Sequence, residues 1–254
     1  MRTNGVTAVF IPGMWSTSKI FAPMIQVFEE HNVPVKTIDL DRTSVGNLRP
    51  ADYKTQVDRA LAKIDAPFPI GHSMGGWLAQ AAEAHDADGN DRIVGRGLIS
   101  PAPFNSVFPR EDWTQMFHTN WTQILSLFGQ LNQITESAVR PNKWWAKRLA
   151  KNMHGVRKIP WGWDIDSHPL ESRWVLHQFV WGIGTQVPRR KNTYVVVGSH
   201  DNLTPPVKAA ETASYHNNGG SNGHLWIVPN HDHDSILYDR NVAHYFANLV
   251  LSCS

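Results

Sequence analysis

Three short stretches of the chain carry the residue types that acyl transfer requires. The first is Gly71-His72-Ser73-Met74-Gly75, a Gly-x-Ser-x-Gly pattern. A serine hydroxyl is a poor nucleophile until an adjacent base takes its proton. The second stretch, Ser199-His-Asp201-Asn-Leu-Thr-Pro-Pro206, offers a carboxylate, and the third, Pro229-Asn-His231-Asp-His233-Asp234, offers two imidazoles. Histidine can accept a proton near neutral pH and return it to a leaving group, while an aspartate fixes its tautomer. The order Ser, Asp, His is the order expected when the serine sits on a sharp strand-to-helix turn. The negative oxygen formed on attack needs backbone N–H donors. Met74, directly after the serine, supplies one. The loop Pro12-Gly13-Met14-Trp15 supplies the other, taken here as the Met14 N–H.

Such a nucleophile needs a strand before the turn and a helix after it. Ala66-Pro-Phe-Pro-Ile70 reads as the strand and Trp77 to His85 as the helix. Glycines two before and two after Ser73 leave room for strand and helix to pack closely, and a helix N-terminus directs N–H groups at the hydroxyl. Further strands are read at residues 7–11, 35–39, 93–100, 193–198 and 224–228. Helices are read over 17–30, 49–64, 205–215 and 235–251. Apolar, β-branched runs alternating with helical stripes predict an α/β fold, a mostly parallel sheet flanked by helices. Asp201 and His233 then fall on loops leaving successive strands at their C-terminal ends, where ligands gather in open α/β sheets.

The strand-helix rhythm stops after residue 100 and resumes at 191. Eight of the eleven tryptophans lie between those positions, among helical stretches broken near Gly129, Pro141 and Pro169. This predicts an inserted, tryptophan-rich helical cap over 101–190, with 1–100 and 191–254 forming the core. Aromatic side chains there, and Trp15 beside the oxyanion loop, favour an apolar or aromatic ligand; His72 is a second candidate for the pocket.

Composition narrows the classes. The chain has 254 residues, 41% hydrophobic and 18% charged, enough for one large domain with a sizeable core. The net charge of +2 carries no basic run, so nucleic acid is not an expected partner. A single cysteine, Cys253, excludes an intramolecular disulfide. No apolar run approaches the length of a membrane span and none resembles a signal peptide, so a cytoplasmic location is expected. The run His231-Asp-His233-Asp lacks the further ligands a metal site would need, and none is expected.

On these residues the chain resembles the α/β-hydrolase fold superfamily over essentially its whole length. Gly71 to Gly76, Val197 to Pro206 and Val228 to His233 carry the resemblance. It implies an esterase- or lipase-like enzyme that needs no cofactor, with Ser73, Asp201 and His233 as its catalytic residues. In the family pattern the histidine commonly lies four residues after a proline such as Pro229, which selects His233 over His231. Family members usually carry His-Gly after the first strand. Here it is Pro12-Gly13, which removes a side chain and leaves backbone donation intact. The start directly on that strand is similar to the small esterase and hydroxynitrile-lyase branch. The lyases carry a lysine after the histidine and a threonine in the first loop, where this chain has Asp234 and Gly13, which disfavours lyase chemistry.

The leading expectation is therefore hydrolysis of a hydrophobic small-molecule ester through an acyl-enzyme. A thioesterase or lactonase would use the same three residues. A ligand receptor on the same fold is the alternative from another class, separated by slow or single-turnover hydrolysis with tight binding. Dehalogenases and epoxide hydrolases would need aspartate at position 73.

Overall fold

The computed structural model describes residues 5–103, 187–201, 203–217 and 224–253, with 138–139, 170–172, 174–175 and 178. Six strands form one sheet: β1 (Thr7–Ile11), β2 (Val35–Thr37), β3 (Pro67–His72), β4 (Arg96–Ile99), β7 (Thr193–Gly198) and β8 (His224–Val228). Their order is β2-β1-β3-β4-β7-β8, and every neighbouring pair is parallel. β2 lies on one side of β1 and β3 on the other, so the strand order reverses between β1 and β3. A crevice opens at such a reversal, beyond the carboxyl ends of the strands.

Strand periodicity of two divides the core into two layers. Val9 and Ile11 of β1 and Val195 and Val197 of β7 face one cluster. It contains Tyr53, Val57 and Leu61 of α2 (Pro50–Leu61), Met74, Trp77 and Leu78 of α3 (Met74–Ala81), and Ala209 and Ala213 of α4 (Pro206–His216). Ala8, Phe10 and Val196 face the other, with Met24, Val27 and Phe28 of α1 (Ala22–Glu30) and Val242, Phe246 and Val250 of α5 (Arg240–Ser252). Both faces are covered, which explains why the inner strands β1, β3, β4 and β7 are buried almost throughout.

Three helices differ from the sequence expectation. The stripe over 17–30 divides into a 3-10 turn, Ser18–Phe21, and α1. Pro23 stands at the start of α1, where its missing N–H costs nothing. The helix after the serine starts at Met74 and stops at Ala81 rather than reaching His85, which instead bridges to Asp91. The buried Arg96 guanidinium takes the carbonyls of Ala79 and Ala82, a side-chain cap that periodicity does not reveal. The terminal helix is preceded by a 3-10 turn, Ser235–Tyr238, and begins at Arg240 with the Asp239 carboxylate accepting the Asn241 N–H at 2.7 Å.

The helical cap expected over 101–190 lies almost wholly outside the described residues. Within that span the structure gives an antiparallel ladder of β5 (Ala138–Val139) and β6 (Glu171–Ser172). Among the described residues no helix is long and apolar enough to cross a membrane.

Buried histidines make the fold acid-sensitive, and His216 is one of them. His216, at the end of α4, accepts the Arg190 N–H at Nδ1 (3.1 Å), so its proton sits on Nε2, 3.0 Å from Gln80 Oε1. Burial, then the charges of Arg96 and Arg190, lower its pKa to about 4. The unfolded chain takes up this proton first, near its ordinary pKa of about 6.5, so stability falls as pH drops from there towards 4. The full effect is on the order of 3 kcal/mol. Urea unfolding at stepped pH values should show this loss, and His216→Gln should reduce it; an unchanged slope in the variant would refute the assignment.

Candidate active site

Ser73 sits where β3 ends and α3 begins, with φ 56° and ψ −121°. A non-glycine residue in that region is strained and persists only where its surroundings enforce it. The enforcing contacts are visible. Ser73 N–H donates to the Ile99 carbonyl (3.1 Å), and the Ser73 carbonyl accepts from Gly76, Trp77 and Ala102. A side chain on Gly71 would strike the Gly75 backbone, and one on Gly75 would strike the backbone of Ile11 and Pro12. The glycines thus let α3 start directly over the ends of β1 and β3.

The loop after β1 reaches the same point. A Cβ on Gly13 would lie 2.9 Å from Ser73 Cβ and 3.5 Å from Ser73 Oγ, so its backbone lies against the serine side chain. Met14 and Trp15 follow, both partly buried, and Trp15 turns the chain with φ 53°. Met74 is the first residue of α3, where an N–H has no acceptor within its helix. Among the described residues neither the Met14 nor the Met74 N–H donates a hydrogen bond.

Asp201 and His233 meet at the ends of β7 and β8. His233 Nδ1 lies 2.9 Å from Asp201 Oδ2, and both side chains are buried. The other carboxylate oxygen accepts the N–H groups of Leu203 (2.9 Å) and Thr204 (2.8 Å), an Asx-type turn that aims Oδ2 at the imidazole. Thr204 Oγ1 lies 2.9 Å from Asp201 Oδ2 and 3.1 Å from the Ser100 carbonyl at the end of β4. With one proton to give, the hydroxyl serves one acceptor at a time. Thr204 was not among the expected site residues, although the Asp-x-x-Thr spacing is a turn signal that could have singled it out.

Electrostatics follow from this packing. Burial pushes the Asp201 carboxyl up, but the charge and hydrogen bond of His233 and the Thr204 N–H hold it below its usual range. Burial alone would lower His233. Asp201, by charge and hydrogen bond, with Asp234 and Asp232 behind it, raises it above the ordinary histidine value. An imidazole in that state binds a proton well, as a base that must carry one transiently requires.

His231 is engaged elsewhere. Its Nε2 lies 3.0 Å from Asp239 Oδ2, and its carbonyl accepts the His200 N–H at 2.8 Å. A side chain on Gly198 would strike the His231 backbone, so the ends of β7 and the histidine loop pack directly together. Asp232 shapes that loop by accepting the N–H groups of Asp234 and Ser235.

His72, read from sequence as a candidate for the pocket, is only 2% exposed. Its described polar contact is with the histidine loop: Nε2 donates to the His233 carbonyl at 2.8 Å, and the two rings lie 4.7 Å apart. Burial, then the His233 charge, lowers its pKa to about 4, so it is neutral and a donor there. Nδ1 is buried and has no hydrogen-bond partner among the described residues. His72, His233 and Asp234 are the only described trio with ligand atoms within 4.8 Å of one another, and the trio includes the imidazole that Asp201 holds.

A hydroxyl on a strained turn, two unengaged N–H groups beside it, and an imidazole backed by a buried carboxylate thus share the C-terminal edge of one sheet. Comparisons with known proteins agree on the architecture. The alpha/beta hydrolase family profile matches residues 8–244. Solved structures with the same fold include a bromoperoxidase from Bacillus anthracis (TM-score 0.68, 14% identity, 98% of this chain and 92% of that one). A soluble variant of monoglyceride lipase from Saccharomyces cerevisiae is similar too (0.64, 14%, 100% and 89%). A pyrethroid hydrolase is a third (0.62, 15%, 98% and 98%). No curated protein matches the chain by sequence.

Proposed function

Because the chain belongs to the alpha/beta hydrolase family, we propose that it cleaves a carboxylic ester through an acyl-enzyme on Ser73. The observation that carries this reading is the buried His233–Asp201 contact at the sheet edge where the strained Ser73 turn emerges. His233 takes the Ser73 proton as the oxygen attacks the ester carbonyl. The carbonyl oxygen becomes negative and accepts from the Met14 and Met74 N–H groups. The imidazolium then protonates the departing alcohol, leaving Ser73 acylated. Water enters, gives a proton to His233 and releases the acid. Asp201 keeps the Nδ1 proton in place, so that Nε2 is the atom that gains and loses a proton.

An ester with an apolar or aromatic portion fits the tryptophan content of residues 101–190. A fluorophosphonate probe tests the nucleophile: peptide mass analysis should find the label on Ser73, and Ser73→Ala should take none. A panel of p-nitrophenyl esters of increasing chain length, lactones and acyl-thioesters then reads the substrate class. Label on another residue, or unchanged turnover in Ser73→Ala, would overturn the mechanism. Preference for thioesters or lactones would keep the mechanism and change the substrate.

A further inference from the structure

Arg42 and Glu171 form a buried pair that the mechanism above does not use. Arg42 lies in the loop after β2 and Glu171 on β6. Arg42 Nε is 3.2 Å from Glu171 Oε2, with the two side chains 9% and 0% exposed. The other oxygen of Glu171 accepts the Tyr53 hydroxyl at 2.5 Å and the Ser172 N–H at 3.1 Å. Burial, then the Glu171 charge, pushes the Tyr53 hydroxyl far above its ordinary range, so it remains a donor. The Arg42 guanidinium also lies 5.8 Å from the Tyr53 ring centroid. Buried ions are tolerated only when paired and hydrogen-bonded, and here the carboxylate has a partner on each oxygen.

The guanidinium makes one more bond. Arg42 Nη2 donates to the Gly13 carbonyl at 3.2 Å. That carbonyl and the Met14 N–H belong to the same peptide unit. In a planar trans peptide the C=O and N–H point in opposite directions, so a grip on one fixes the other. The same peptide adjoins Ser73 through Gly13, and its N–H donates to nothing among the described residues.

We propose that Arg42 is a positioning residue for acyl transfer: by holding the Gly13 carbonyl it keeps the Met14 N–H aimed at the oxygen that becomes negative when Ser73 attacks. This rests on the hydrolase reading and deepens it. A donor already aimed needs no reorganisation as charge develops. A charged donor on the C=O also polarises the peptide and strengthens its N–H. Glu171 fixes the guanidinium and balances its charge, so Arg42 acts through the peptide rather than on the oxyanion. Because Glu171 lies on β6, the pair also fastens β6 to the loop after β1.

The test uses the full chain, p-nitrophenyl esters and a trifluoromethyl ketone, which forms a tetrahedral adduct on a serine nucleophile. Arg42→Lys keeps a charge for Glu171 but lacks the fork that reaches both acceptors. The double variant Arg42→Met/Glu171→Gln removes both charges together and avoids an unpaired buried carboxylate. Each should lower kcat by about tenfold to a hundredfold, less than outright loss of an oxyanion donor. KM should stay within about twofold, and the ketone inhibition constant should rise in step with the fall in kcat/KM. Wild-type kcat in both folded variants would overturn the inference, as would a rise in KM alone. Fluorophosphonate label on wild-type Ser73 with unaffected Arg42 variants would sink only this inference. Absence of label and turnover in the wild type would sink the hydrolase reading and this inference with it.

Discussion

Replacing His233 with alanine is expected to lower ester turnover by roughly ten-thousandfold to a millionfold, the scale seen when the base of a serine–histidine pair is removed. His231→Ala should stay close to wild type, because the His231 ring pairs with Asp239 at the start of α5 and not with Asp201. The two histidines are two residues apart on one loop, so the contrast separates local disruption from loss of the base. The pH profile gives an independent check. In the proposed mechanism His233 accepts the serine proton only when neutral. Its pKa is raised, since Asp201 and the neighbouring carboxylates outweigh the effect of burial. The ascending limb of kcat/KM should therefore lie above the ordinary histidine value of about 6.5 and level off on the alkaline side. In Asp201→Asn the plateau should drop and the limb should move to lower pH, because the charge that favours imidazolium is gone. A limb that stays put in that variant, or a larger loss in His231→Ala than in His233→Ala, would reassign the base.

Gly75→Ala should remove the folded protein rather than merely its activity. A methyl group there would occupy the space of the Ile11 and Pro12 backbones, and a backbone cannot rotate aside as a side chain can. Either α3 lifts off β1 or the end of β1 moves, and both surfaces belong to one core cluster. Such overpacking falls among the exceptional substitutions, costing more than about 4 kcal/mol. Ser73→Ala is the matched control. It keeps the strained φ of 56° but adds no atom. Soluble yield and thermal melting should show near-native behaviour for Ser73→Ala and collapse for Gly75→Ala. A Gly75→Ala protein that melts within a few degrees of wild type would mean that the turn can relax in ways this packing does not allow.

The inner strands were legible because they are buried on both faces and read as unbroken apolar runs, and 193–198 matches β7 residue for residue; the partly exposed edge strand β8 matches 224–228 through its β-branched and aromatic content instead. Helix ends were less legible. The stop at Ala81 depends on Arg96, whose partners lie 17 and 14 residues back along the chain. The positions of Ser73, Asp201 and His233 relative to strand ends could be read from local pattern. Their partners could not. His72 meets the His233 carbonyl across 161 residues, and Arg42 meets Glu171 across 129. No local signal distinguishes Arg42 from any solvated arginine in a polar loop; only the tertiary structure shows that it lies between an acid and the Gly13 carbonyl.

The parallel pairing of Leu98 with Val195 closes the whole stretch between β4 and β7 into a loop. Closing a loop twice as long costs only about 0.6 kcal/mol more in chain entropy. The length of that stretch can therefore change at little cost in chain entropy, while the strands on either side keep their register. Its sequence is less free: Val175 belongs to the core, Ser172 donates to the Leu48 carbonyl, and Glu171 answers Arg42. A graft that drops the Glu171 carboxylate leaves the Arg42 charge buried without its acid beside the Gly13 peptide, so a replacement segment should carry an acid at that place.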